Sequence, residues 1–222
     1  MKNSLTLLFA AGTILLVAAS VSAGPVFSFT GLSNNSIADT LTGQTQFSVQ
    51  LEDAGAGQVW FTFLNSGPDP SSITQMYFDN GPAGSGALAS IAGFEHSNPA
   101  STFSVGASPA NLSGWAELDP TFQATEGLTA SADNPRPHNG VNPGQSLGIL
   151  TPLAASYTFS DVLEQIYSGS LRIGIHAQGF EGGGSESFVL TTVPIVPAPG
   201  SLLLATIGLG VLRTLQYRRR FA

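Results

Sequence analysis

Hydrophobic and polar residues alternate one by one in two segments of this chain. In residues 45–52 every second residue from Phe47 onward is apolar, and polar residues stand between them. Residues 171–178 repeat the pattern, with apolar residues from Leu171 onward and His176 on the polar side. A period of two is typical of a β-strand that buries one face. Both segments are therefore predicted to be strands.

Shorter apolar segments extend this β pattern along the chain. Residues 59–64 contain Trp60 and two phenylalanines, and are predicted to form a central strand buried on both faces. Clusters of Gly, Pro, Asn, Asp and Ser separate the segments and predict turns. Many short strands with such turns predict an all-β fold, a β-sandwich or jelly roll. The other predicted strands are 26–30, 73–78, 88–91, 103–105, 146–150, 156–159 and 187–192.

One short helix is predicted within this β pattern. Ser160 can cap a helix that begins at Asp161, with Ile166 on its apolar side and Gly169 as its stop. Residues 106–133 show no clear periodicity, and no element is predicted there.

The first residues have the pattern of a secretory signal peptide. Lys2 precedes an apolar run of about 15 residues, which ends in the small residues Val21, Ser22 and Ala23. This run is shorter than the roughly 20 residues that span a bilayer. We therefore expect cleavage between Ala23 and Gly24, and a protein that is exported.

The composition of residues 24–195 narrows the function further. This segment holds all 14 carboxylates but only two strong cations, Arg136 and Arg172, which gives a formal charge of 2 − 14 = −12. Such a surface repels nucleic acid, so no nucleic-acid partner is expected. The chain has no cysteine, so neither disulfides nor cysteine-bound metal stabilise it. Burial in one core is expected to hold the domain together.

The motifs that carry catalytic chemistry in other proteins are weak here. Residues 144–148 read Gly-Gln-Ser-Leu-Gly, but a strand and not a helix is predicted from Ser146 onward, so the motif lacks the context of a nucleophile elbow. His96, His138 and His176 are far apart in sequence and have no second His or Cys at metal-ligand spacing. His176 is expected at an exposed strand position. No catalytic residue and no metal ligand is assigned, and the protein is predicted not to be an enzyme.

Calcium and carbohydrate remain open as ligands. Asp79, Asp119 and Asp133 lie in or beside predicted loops, where oxygen ligands for calcium gather, but no segment matches a calcium-loop pattern. No cofactor is therefore expected, with a structural calcium as the alternative. Trp60 and Trp115 are candidates for a sugar-binding face, although most aromatic residues are expected in the core.

The last residues combine prolines, an apolar run and arginines. Residues 202–212 are mainly apolar, but as a helix they would rise only about 16 Å. Residues 199–217 would rise about 28 Å and just span a bilayer if Arg213 reaches the interface. The arginines at 218–220 would stay on the cytoplasmic side and leave the body outside.

This order of features resembles the sorting tail of the bacterial PEP-CTERM family. The residues that carry the resemblance are Pro197, Ala198 and Pro199, a short apolar helix with Gly208 and Gly210, and Arg218, Arg219 and Arg220. The resemblance implies recognition by exosortase, a membrane enzyme that removes the tail and passes the protein to the cell surface or extracellular matrix. The family's usual Pro-Glu-Pro is Pro-Ala-Pro here, which leaves open the exosortase variant that accepts it. Residues 71–79 and 171–180 are also similar to segments of exosortase-dependent surface proteins, and this second resemblance implies no activity.

The chain is thus expected to have three parts: a signal peptide (1–23), a β-sandwich ectodomain (24–193), and a proline linker with apolar helix and arginine-rich sorting tail (194–222). The expected function is structural or adhesive, with exosortase and the inner membrane as partners of the tail and extracellular polysaccharide as a candidate partner of the body. The alternative is a glycan-binding module or carbohydrate-active enzyme on a plain single-pass anchor.

Overall fold

The computed structural model describes residues 24–82 and 85–195. Gly24, on one side of the expected signal cleavage, is the first described residue. Ala23 and the sorting residues Pro197, Ala198, Pro199, Arg218, Arg219 and Arg220 lie outside the described residues.

Ten strands and two α-helices make up the described chain. In chain order they are β1 (Val26–Gly31), α1 (Ile37–Gln46), β2 (Phe47–Gly55), β3 (Gln58–Asn65), β4 (Ser72–Asp79), β5 (Gly93–His96), β6 (Phe103–Val105), β7 (Thr129–Ala132), β8 (Gln145–Pro152), α2 (Phe159–Ser168), β9 (Arg172–Gln178) and β10 (Ser185–Ile195). A single 3₁₀ turn, Trp115–Glu117, is also present.

All ten strands belong to one antiparallel sheet, in the order β5-β8-β3-β2-β1-β10-β9-β4-β7-β6. The sheet folds back on itself, because the ring of Phe61 on β3 lies 5.0 Å from that of Phe78 on β4. The two edge strands also approach each other, with the rings of Phe94 and Phe103 separated by 6.4 Å. The core lies between the two halves of the sheet, and the all-β prediction is confirmed.

The two alternating segments are strands, and each buries its apolar side. β2 includes residues 47–52 of the first segment, whose first two residues end α1, and β9 includes residues 172–178 of the second. Val49 and Ile175 are fully buried. The prediction that β3 is buried on both faces is wrong, since Trp60 and its neighbours on the outer side are only half-buried. The strands buried at every position are β4 and the four-residue β7.

A long segment without strands, residues 107–125, covers the outer side of β4. We call it the covering segment. Its Leu112 and Phe122 form a second apolar cluster with Tyr77 of β4 and with Leu32. The Tyr77 hydroxyl donates a hydrogen bond to the Pro109 carbonyl, and burial raises the pKa of this tyrosine to about 12. Part of the stretch that lacks periodicity in the sequence is thus a second layer over the sheet.

The predicted helix exists as α2, and it starts two residues earlier than expected. Thr158, not Ser160, is the N-cap. Its hydroxyl accepts a hydrogen bond from the Asp161 N–H, and the Asp161 carboxylate accepts one from the Thr158 N–H. Gly169 ends the helix in a left-handed conformation, as predicted. The strand predicted at 156–159 is therefore wrong. The strand predicted at 88–91 is reduced to one bridge, between Leu88 and Leu153.

The sequence pattern predicts neither the second helix, α1, nor strands β5 and β7. The single-helix prediction is therefore wrong. α1 buries Asp39, Thr40, Gly43 and Gln46, whereas its Ile37 is 80% exposed. Its buried side is thus polar, the reverse of the usual amphipathic pattern.

The two ends of the described chain lie side by side. Val26 at the start of β1 pairs with Ile195 at the end of β10. Pro194 lies within β10, although the sequence predicts it in the proline linker. The pairing register of β1 and β10 shifts between Phe27 and Phe29, the kind of irregularity at which a strand accommodates a proline.

Candidate functional site

A cleft of about 610 Å³ lies beside the start of α1. The loop before β10 forms its other wall. We call this space the acidic cleft, and its lining includes Ser36, Asp39, Asp69, Glu181, Gly184 and Glu186. Four carboxylates line it, and no lysine or arginine of the described chain does. The cleft therefore repels anions and favours cationic groups.

One carboxylate of the acidic cleft has a structural role. Glu186 is 1% exposed, and one of its oxygens accepts a hydrogen bond of 2.6 Å from the Ser33 hydroxyl. The backbone N–H groups of Asn35 and Ser36 donate to the same carboxylate, at 3.0 and 2.5 Å. These donors lie where α1 begins, and N–H groups at a helix start lack partners within the helix. Glu186 thus fastens the start of α1 to β10.

Asp39 places a second carboxylate at the back of the acidic cleft. It is 8% exposed, and a Cβ added at Gly184 would lie 2.6 Å from its Oδ2. Its backbone N–H donates to the Ser36 hydroxyl, which caps α1. The absent side chain at residue 184 is therefore what makes room for the Asp39 carboxylate.

A second cavity, of about 710 Å³, surrounds Asp79 and Arg172. Its lining also includes Asn80, Thr121, Gln123 and Gln165. Arg172 forms an ion pair with Asp79, and its guanidinium group lies 5.4 Å from the centre of the Phe122 ring.

Asp79 and Arg172 hold the covering segment against the sheet. Arg172 also donates to the carbonyls of Pro120 and Thr121. The Asp79 oxygen that pairs with Arg172, Oδ2, accepts a further hydrogen bond from the N–H of Gln123 at 2.9 Å. Asp79, a calcium candidate in the sequence, is thus already paired with a cation. This contact fixes a loop and leaves little charge for a ligand.

Among the described residues, the other calcium candidates do not join Asp79 in a cluster that could hold a metal ion. Asp119 is exposed in the covering segment, and Asp133 accepts a hydrogen bond of 2.8 Å from the Ser104 hydroxyl near the edge strand β6. The structure therefore does not gather the three aspartates into one site.

His176 is half-buried, and the expectation of an exposed position is wrong. Its Nδ1 lies 3.1 Å from the hydroxyl oxygen of Ser187, which is fully buried on β10. Burial lowers the pKa of His176 below its usual value. Alternation in the sequence predicts this residue on the polar side of β9 and gives no sign that its contact with Ser187 of β10 limits its exposure.

The remaining sequence candidates occupy ordinary structural positions. Ser146 lies in β8, which continues to Pro152, so the helix of a nucleophile elbow does not follow it. Trp115 is 38% exposed in the covering segment, and Trp60 is half-buried on the outer side of β3. The two tryptophans therefore lie on different layers.

Neither the described residues nor the comparisons with known proteins assign a function to the chain. Within residues 24–82 and 85–195, no group of three or more His, Cys, Asp or Glu side chains is placed to hold a metal ion. No helix in the same ranges has the length and apolar character needed to cross a membrane. The chain matches no protein-family model, no curated protein and no solved structure.

Proposed function

We propose that this protein is exported, sorted by exosortase through its C-terminal tail, and displayed at the cell surface or in the extracellular matrix. Its role there is structural or adhesive and not catalytic. The observation that carries the proposal is the order of features at the two ends: a signal-peptide pattern through Ala23, then Pro197-Ala198-Pro199, an apolar run and Arg218–Arg220.

The geometry of the body is compatible with this proposal. Because Val26 pairs with Ile195, the segments before and after the body leave it at the same place. A body attached at one place extends away from the membrane and exposes its remaining surface. The excess of carboxylates keeps such a surface soluble.

The finer description of the body as a β-sandwich is part of the same proposal. It is supported by the rings of Phe61 and Phe63 on β3, which pack edge-on against Phe78 on β4. Contacts of this kind fill the space between two facing layers of strands. The hydrogen bonds between β1 and β10 join the two layers into one sheet.

The test is the intact mass of the protein recovered from its native cell surface, in cells with and without exosortase. We expect a mass that lacks residues 1–23 and the tail beyond about Pro199, and only when exosortase is present. Retention of Arg218–Arg220 in both strains would contradict sorting and leave a plain membrane-anchored body.

A second candidate function is a glycan-binding module on such an anchor. It is favoured by Trp60, a large aromatic side chain on a sheet face that neither helix covers, since α1 packs on β1 and β10 and α2 on β10.

A further inference from the structure

The outer face of β5, β8, β3 and β2 carries an aromatic side chain, with polar side chains around it and Leu150 as its register partner on β8. We call it the Trp60 face and define it by Gln50, Glu52, Trp60, Thr62, Glu95 and Gly148. The pairing register places these side chains on one side of the sheet, because Glu52 pairs with Trp60, and Gln50, Thr62, Gly148 and Glu95 form one row across four strands. Neighbouring strands lie about 4.8 Å apart, so the row is about 14 Å wide.

Gly148 gives the indole ring of Trp60 its position. A Cβ added at Gly148 would lie 3.2 Å from Cε3 and 3.3 Å from Cζ3 of Trp60, so the six-membered ring rests against the backbone of β8. A larger residue at 148 would push the ring away. The tryptophan is therefore held across the sheet while part of its surface stays open to solvent.

Two carboxylates flank this ring. Glu52 is the register partner of Trp60, and Glu95 is the register partner of Gly148, beneath the ring. Directly opposed residues in a sheet have Cβ atoms about 5 Å apart. Both glutamates are exposed, and the Gln50 amide donates a hydrogen bond of 2.7 Å to Glu52.

The charge of the Trp60 face selects its partner. An aromatic ring attracts a cation to its surface, and nearby carboxylates add to that attraction. The described part of the chain has only two arginines; Arg172 pairs with Asp79, and Arg136 donates to the Ala132 carbonyl. The Trp60 face therefore repels an anionic polymer and attracts a cationic one.

We propose that the Trp60 face binds a polysaccharide of amino sugars whose amines are free. The apolar side of a sugar ring packs on Trp60, its ammonium groups pair with Glu52 and Glu95, and its hydroxyl groups exchange hydrogen bonds with Gln50 and Thr62. The width of the face suits several sugar units in a row. The inference rests on the proposed function, because that function places the protein in the extracellular matrix, where it would meet such a polymer.

The binding test uses protein purified from its native cells and chitosan oligosaccharides, which carry free amines. Fully acetylated chitin oligosaccharides of the same length are the matched probe without charge. In a Trp115→Phe variant the remaining fluorescence comes from Trp60, and we expect it to change on titration with chitosan. We expect at least tenfold weaker binding of the acetylated probe, and weaker chitosan binding as salt rises.

Two variants separate the parts of the Trp60 face, and calorimetry measures their binding. Trp60→Ala should abolish binding. The double variant Glu52→Gln, Glu95→Gln keeps both side-chain shapes at exposed positions and should weaken chitosan binding at least tenfold. Glu164→Gln, which changes an exposed carboxylate on α2, is the control and should bind as the parent does.

Equal binding of the two probes, or full binding by the double variant, would overturn the inference. Equally tight binding of polylysine would also overturn it, because the face would then recognise any polycation. The chitosan-binding test and the mass test can each fail while the other succeeds. A processed tail without chitosan binding rejects only this inference, and binding by a protein that keeps its arginines rejects only the sorting proposal.

Discussion

Glu186 shows how much one buried side chain contributes to this fold. Its carboxylate accepts three hydrogen bonds from the residues that lead into α1. Both carboxylate oxygens accept hydrogen bonds, so in Glu186→Gln the side-chain NH2 group replaces one acceptor. At least one buried N–H or hydroxyl then loses its partner. We expect the free energy of unfolding to fall by about 1–3 kcal/mol.

The measurement for Glu186→Gln is urea unfolding followed by circular dichroism. Glu181→Gln removes an exposed carboxylate of the same cleft, and its free energy of unfolding should stay within about 0.5 kcal/mol of the parent. Equal stability of both variants would show that Glu186 does not fasten α1.

His176 should make stability depend on pH in mildly acidic solution. Burial lowers its pKa in the folded protein, so below about pH 6.5 the unfolded chain takes up a proton that the folded protein does not. The contribution of the neutral histidine is complete above pH 6.5 and is lost as the pH falls through the lower, folded-state pKa.

Urea midpoints of the parent, of His176→Gln and of His138→Gln at pH 7.5 and 5.5 test this expectation. The parent should lose more stability between these values than His176→Gln does. The exposed His138 is the control, and its variant should keep the slope of the parent. If His176→Gln loses as much stability between pH 7.5 and 5.5 as the parent does, the pH dependence comes from other groups.

At the scale of elements, α1 is held by close packing more than by its sequence pattern. A Cβ added at Gly43 would lie 2.1 Å from Cζ of Phe188 on β10. Replacing a helical glycine with alanine usually adds up to about 1 kcal/mol of stability. Here overpacking costs about 1–3 kcal/mol, so we expect Gly43→Ala to lower the free energy of unfolding.

Thermal unfolding of Gly43→Ala beside Thr45→Ala checks the sign of this effect. Thr45 is exposed in the same helix, and its replacement should leave the melting temperature almost unchanged. A higher melting temperature for Gly43→Ala would mean that α1 can move away from Phe188 at little cost.

The same helix shows why part of the fold could not be predicted from the sequence. Periodicity predicts strands such as β2 and β9 well, since their apolar residues are the buried ones. α1 exposes Ile37 and buries Asp39 and Gln46, so its pattern carries no helical signal. β7 is four small residues, all buried, and likewise shows no alternation.

The sites depend on contacts that alternation does not contain. The Trp60 face needs Gly148 and Glu95 in register with Thr62, three positions that are far apart in sequence. The acidic cleft joins α1 to the loop before β10. The aromatic residue could be singled out from the sequence, whereas its carboxylate neighbours could not.

At the scale of the whole molecule, the adjacent ends predict that the body tolerates circular permutation. Val26 and Ile195 are antiparallel partners, so a short flexible linker can join residues 195 and 24. New ends at Ala56 would open the β2–β3 turn, where Cβ atoms added at Gly55 and Gly57 meet nothing within 4 Å. We expect this permutant to unfold in one cooperative transition.

A permutant with the same linker but new ends at Val189 is the control for that experiment. It interrupts β10 between its pairs with β1 and β9, and should not fold. Calorimetry and near-ultraviolet circular dichroism distinguish the two. Failure of the Ala56 permutant would show that the continuity of β2 and β3 is required for folding.

The position of β10 also determines how the protein responds to mechanical force. If the chain beyond Ile195 is pulled, tension enters along β10, which is hydrogen-bonded to β1 on one side and to β9 on the other. Both ladders lie parallel to the pull and are sheared together, so their bonds must break nearly at once. The lifetime of the domain under tension is then set by its unfolding rate. A protein held by its C-terminal end in flowing water would carry the load on a strand that is paired on both sides.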